Sequence, residues 1–127
     1  HNVITNVNES TRFFLIDVHY KEKLNRIYYD KTTKESFCVE YKKEIGRGLN
    51  FSFYNNIDGG MPFWPINQVS DNKMYRLIYG YELKEYLDRK AIDIEILDKE
   101  ARKKLLQLAK NSKTSDNPIL MVVTLKE

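Results

Sequence analysis

The chain has 127 residues and a mass of 15.1 kDa, enough for one hydrophobic core and too little for two. Its 42% hydrophobic and 31% charged content sets it apart from chains that stay disordered. Twenty-one Lys and Arg against eighteen Asp and Glu leave a net charge of +3, with the two signs interleaved, a pattern that serves solubility rather than polyanion binding. The most basic stretch, Tyr41-Lys42-Lys43-Glu44-Ile45-Gly46-Arg47, is short and broken by an acid, so no nucleic-acid partner is expected. No run approaches the roughly 18 apolar residues of a membrane span. Cys38 is the one cysteine, which excludes an internal disulfide; beside Phe37 and Val39 it is expected to pack as a small hydrophobe. The start, His1-Asn2-Val3-Ile4, lacks an initiator Met and reads as a trimmed end.

In chain order, Ser10 to Tyr41 reads as a β-meander. Along Thr11 to Tyr20 the even positions Phe14, Ile16, Val18 and Tyr20 are all apolar and form the expected core face, while the odd set mixes Phe13 and Leu15 with Asp17 and His19. Lys21-Glu22-Lys23 is a polar turn into a strand at Leu24 to Tyr29, and Asp30 to Lys34 is a turn into a third strand at Ser36 to Tyr41. After Gly46 and Gly48 a fresh strand is expected over Leu49 to Tyr54. Asn55 to Gly60 is a turn in which Asp58, Gly59 and Gly60 are structural, the glycines supplying positive φ. Met61-Pro62-Phe63-Trp64-Pro65 follows as an ordered aromatic loop, because two prolines remove backbone donors. Lys73 to Tyr79 returns to strand. Leu83, Tyr86 and Leu87 mark a short helix over Tyr81 to Asp88, and a longer one runs from the N-cap Asp98 to Lys110 with an apolar stripe of Ala101, Leu105, Leu108 and Ala109. Residues 91–96 alternate like a strand and equally suit a connector. The run Ile119 to Leu125 is expected to be a buried strand covered on both faces. The fold class is thus mainly β with C-terminal helices, one domain over 1–127, with a β-meander in 1–80 and two helices and a closing strand in 81–127.

Chemistry is sparse in this text. His19 lies two residues from Asp17 on one strand face, a spacing that gives a surface hydrogen bond more often than an acid–base pair. No nucleophile elbow, zincin, P-loop or dinucleotide fingerprint occurs, and no catalytic residue, metal ligand or cofactor is assigned. Asp58-Gly59-Gly60 lacks the alternating ligands of a calcium loop. Nine Tyr, six Phe and one Trp are the suggestive excess. Trp64, with Phe63 beside it, is the best candidate for a platform that stacks a glycan or peptide; the competing role, a core plug beneath the loop, is favoured by the large area such rings bury.

The order Asn56-Ile57-Asp58-Gly59-Gly60-Met61-Pro62-Phe63-Trp64-Pro65, then Tyr81 to Leu87, then Asp116-Asn117-Pro118-Ile119-Leu120-Met121, resembles the C-terminal end of the six-bladed β-propeller lipoproteins of Bacteroides and related gut bacteria. The meander from Ser10 to Tyr41 is similar to one blade of those proteins. The resemblance implies one to two propeller blades and a periplasmic or cell-surface setting with a lipidated anchor upstream. It supplies no catalytic motif. The expected function is a non-catalytic binding or scaffolding module of the bacterial cell envelope; the alternative is the C-terminal segment of a propeller lyase or hydrolase whose active site lies in absent blades. Blades cover one another, so self-association through exposed edges is expected.

Overall fold

The computed structural model describes residues 2–46, 49–89 and 93–127. It is mainly β, with two antiparallel sheets and two helices. The first sheet is a four-stranded meander of β1 (Asn2–Glu9), β2 (Phe13–Tyr20), β3 (Lys23–Asp30) and β4 (Glu35–Cys38), lying in that order. The sequence pattern does not announce β1, because its apolar residues do not alternate. A register shift between Ile4 and Asn6 explains this, since the bulge brings Ile4 and Val7 onto one face, opposite Val18 and Ile16. Lys21 and Glu22 join β2 to β3 with φ of 49° and 63°, the tight turn whose twist suits a two-residue hairpin.

The core face of β2 is the odd one, not the even one that the apolar count favoured. Leu15 is buried, Phe13 packs beside it, and Asp17 points the same way, while Phe14, Ile16 and Val18 are half-buried and Tyr20 is exposed. Both faces carry apolar residues, so only the position of the rest of the chain chooses between them. The same two-residue period corrects the expectation for Cys38. Phe37 stands opposite Tyr28 on the core side and stacks on it at 5.0 Å, so Cys38, opposite Ile27, faces outward and is exposed.

Leu49 to Tyr54 is not a strand. Its backbone groups are claimed one by one: Asn50 O accepts from Lys42 N at 2.8 Å, Phe51 O accepts from Arg26 Nη1 at 2.7 Å, and Phe53 makes a lone bridge with Phe63. The second sheet is β5 (Asn67–Ser70), β6 (Lys73–Ile78) and β7 (Ile119–Thr124) in that order, with β5 arising between the aromatic loop and Lys73, where no strand was expected. β7 is covered on one face only. Ile119, Met121 and Val123 pack inward, but Leu120 is 56% exposed and Val122 46%, because none of the described residues forms a layer over that side of the sheet.

Helix α1 (Gly80–Asp88) follows β6 directly, and the Glu82 carboxylate accepts from Tyr79 N at 3.1 Å at its start. Helix α2 (Lys99–Asn111) has Asp98 as its N-cap, accepting from Ala101 N at 2.9 Å. Its buried stripe narrows to Leu105 and Ala109; Leu108 is 45% exposed and drops out of the expected set. Residues 93–96 form neither helix nor strand, and 91–92 lie outside the described residues. Two apolar clusters result. Leu15, Val39, Phe63, Trp64 and Met74 fill the space between the sheets, and Met61, Ile78, Leu83 and Ala109 pack the helices on the far end of the second sheet.

Two outcomes follow from the first sheet. Replacing Lys21 by Asn and Glu22 by Gly, residues that accept positive φ, raises unfolding free energy by about 1 kcal/mol in urea melts. Asp30 accepts from Arg12 Nε and Nη2 (2.7 Å for the latter) and from Thr32 N, and the Arg12 bonds, ahead of the other causes, hold its carboxyl below the ordinary value. A depressed carboxylate contributes stability that is present above its unfolded pKa and lost as pH falls through the folded one. Arg12→Ala therefore lowers the urea midpoint near neutrality and shrinks the drop in midpoint between about pH 7 and about pH 2.

Candidate functional site

The aromatic loop enters the space between the sheets. Trp64 is 3% and Phe63 4% exposed, so neither ring offers the open face that a stacking platform needs, and both act as the core plug. The prolines make this entry workable. A loop that must cross a dry interior benefits from fewer backbone donors, and the Pro62 carbonyl accepts from Arg76 Nη1 at 3.2 Å. Burial lowers the pKa of Arg76, whose guanidinium lies beneath the loop on β6.

Trp64 brings its indole N–H with it, and that donor needs a partner. Nε1 donates to Asp17 Oδ1 at 2.7 Å. The same oxygen accepts from Arg26 Nε at 3.2 Å across the β2–β3 pair, and the Arg26 guanidinium lies over the indole at 5.2 Å. Burial pushes the Arg26 pKa down, and Asp17 works against that shift. His19 does not join in: it is exposed, and among the described residues no hydrogen bond links it to Asp17. Sequence reading paired Asp17 with His19 and missed its partners Arg26 and Trp64. Their signal was an acid in an apolar strand with a base within reach on the next.

The turn at Asp58, Gly59 and Gly60 is built from within. Asp58 Oδ1 accepts from Gly60 N at 2.9 Å and from Asn55 Nδ2 at 2.6 Å. Gly59 has φ +70°, and a Cβ there would meet Ile96 Cδ1 at 2.4 Å; Gly60 needs no positive φ. Arg102 Nη1 of α2 donates to the carbonyl of Gly59 at 2.8 Å, while Leu97 N and Asp98 N donate to Asn56 and Ile57. The turn is thus strapped to the start of α2.

Between this segment and β7 runs a groove of about 530 Å³, walled by Phe53 to Asp58 on one side and Met121 to Leu125 on the other. A mainly apolar recess of about 230 Å³ adjoins it, lined by Phe13, Leu15, Tyr28, Phe53 and Leu125. Tyr54 on the wall is held by its hydroxyl, which donates to Glu44 Oε1; that bond, with burial second, pushes its pKa up to about 12. The groove can therefore hold an apolar guest against a fixed wall. Among the described residues no cluster of His, Cys, Asp or Glu could hold a metal ion, and no helix is long and apolar enough to cross a membrane.

The Asp17 network sets a measurable coupling. Asp17→Ala leaves the indole N–H and Arg26 Nε without their acceptor and the guanidinium without its counter-charge, and costs about 2 kcal/mol. Trp64→Ala costs about 4 kcal/mol through the cavity it leaves. A double-mutant cycle of Asp17→Ala with Trp64→Phe, read by urea unfolding, gives an interaction energy of about 1 kcal/mol.

No curated protein and no solved structure matches the chain. The model of one family, described as a domain of unknown function (DUF4933), matches residues 7–89, from the end of β1 to the end of α1. That span is well over half of the chain, which therefore belongs to the DUF4933 family.

Proposed function

We propose that this chain is a non-catalytic binding or scaffolding module, the terminal part of a β-propeller of the bacterial cell envelope at the periplasm or cell surface. One observation carries this reading. The outer face of the four-stranded sheet presents Ile4, Val7, Phe14, Ile16, Val18, Ile27 and Tyr29 side by side, with Ile4 62% and Val7 49% exposed; the Lys31 ammonium reaches over the Phe14 ring, and among the described residues none of these seven side chains joins either core cluster. A stand-alone sheet in water alternates apolar and polar faces; one that is apolar on both is made to be covered. The four-strand meander order is that of a propeller blade and supports the same reading. The groove beside β7 is the ligand seat, taking a peptide or glycan, in place of the buried Trp64 and Phe63.

Without its neighbours the chain covers this face with a second copy. Sedimentation at micromolar concentration is expected to show a dimer or larger species. Ile4→Lys combined with Val7→Lys, both at exposed positions, weakens that association at least about tenfold, or ~1.4 kcal/mol, and leaves the melting temperature unchanged. A monomer for the unaltered chain at the highest soluble concentration overturns the proposal.

A further inference from the structure

We propose that the free edge of β7 takes up an extended, uncharged apolar peptide of a partner protein as an added strand. This deepens the reading of the chain as a binding module and rests on it. None of the residues lining the 530 Å³ groove comes from β6, so the groove lies on the side of β7 away from that strand, its one neighbour among the described residues. The ladder phase says which groups face it. Leu125 N donates to Asn72 O at 2.7 Å, which places this pair in the hydrogen-bonded phase of the ladder, and alternation assigns the next bonded pairs to Val123 with Met74 and Met121 with Arg76. The backbone N–H and C=O of Leu120, Val122 and Thr124 therefore point into the groove. Among the described residues no hydrogen bond reaches them from that side.

The other sheet edges are blunted and this one is not. β1 carries a register shift between Ile4 and Asn6, β5 one between Gln68 and Ser70, and β4 is four residues long and begins with Glu35. β7 has six residues without charge, proline or bulge. Charge and size select the guest. No Lys, Arg or His lines the groove, so an anionic guest finds no counter-charge there, and its one carboxylate, Asp58, is held in its own turn by Gly60 N and Asn55 Nδ2 at Oδ1. An edge of this length spans about 20 Å, and strand addition along it buries far less than the roughly 800 Å² per partner of a stable dimer. A single peptide segment fits, with alternate side chains entering the recess at Phe13, Leu15, Tyr28, Phe53 and Leu125.

The test uses the full chain and an end-blocked hexapeptide of alternating valine and threonine, followed by amide signals in NMR titration. Saturable shifts and slowed exchange at Leu120, Val122 and Thr124 are expected. Val122→Pro removes an outward donor without touching the β6 ladder and weakens binding at least about tenfold. A peptide N-methylated at alternate residues tests the point independently of whether that variant folds, and it is expected not to bind. Equal binding of the methylated peptide overturns strand addition while leaving an apolar ligand groove. Binding of neither peptide overturns both this inference and the groove as the ligand seat. Concentration-dependent protection of the three amides without peptide assigns the edge to a second copy and overturns the peptide as its occupant.

Discussion

The interior of this protein depends on satisfying one indole N–H. Trp64 supplies much of the apolar volume between the sheets, but burying it also buries a donor, and an unpaired donor there would cancel much of the gain. Asp17 takes that hydrogen, and Arg26 compensates the charge thereby drawn inward. Arg26 also reaches the Phe51 carbonyl, so the group that neutralises Asp17 ties down the segment that failed to become a strand. One carboxylate thus orders a loop, a strand pair and an irregular stretch, because each element brings a polar group that the others satisfy.

A second constraint positions the helices. The helix cluster packs on Ile78 and Ile119 of the second sheet, next to the same sheet's contribution to the Trp64 cluster, so one sheet face serves both. The turn at Asn55 to Gly60 locks this arrangement, since Arg102 takes the carbonyls of Asp58 and Gly59 and the backbone before α2 takes those of Asn56 and Ile57. Close approach is needed elsewhere too: a Cβ on Gly80 would lie 2.5 Å from Ser112 Cβ, so glycine lets α1 start against the end of α2. The wall of the β7 groove is consequently rigid where it matters, being held by the turn, by α2 and by the Tyr54 hydroxyl.

The contrast between inside and outside carries the functional reading. The Trp64 network is paired donor to acceptor, while the outer faces of both sheets leave branched and aromatic side chains in water. Uncovered apolar surface is a drive toward association, and an unbulged edge is directional, because hydrogen bonds accept only an extended backbone. The two features point to different partners: a flat face suits another layer, and a walled edge suits a single strand.

Local chemistry was enough for part of this. The hairpin strands at Phe13 and Lys23, the turn at Asp58 to Gly60, both helices and the Asp98 cap follow from period, turn residues and capping, which act within a few residues of chain. Other features depended on where distant segments settle. Apolar residues on both faces of β2 leave its core side undecided until Trp64 arrives, and Leu49 to Tyr54 has strand composition but loses its backbone groups to Arg26, Lys42 and Phe63. β1 was hidden by a bulge that only its pairing reveals, and β7 looked doubly buried because its composition cannot show that Leu120 and Val122 stay exposed. Residue spacing determines which side chains share a face; the tertiary arrangement decides which face is dry, because burial is a property of what packs against it.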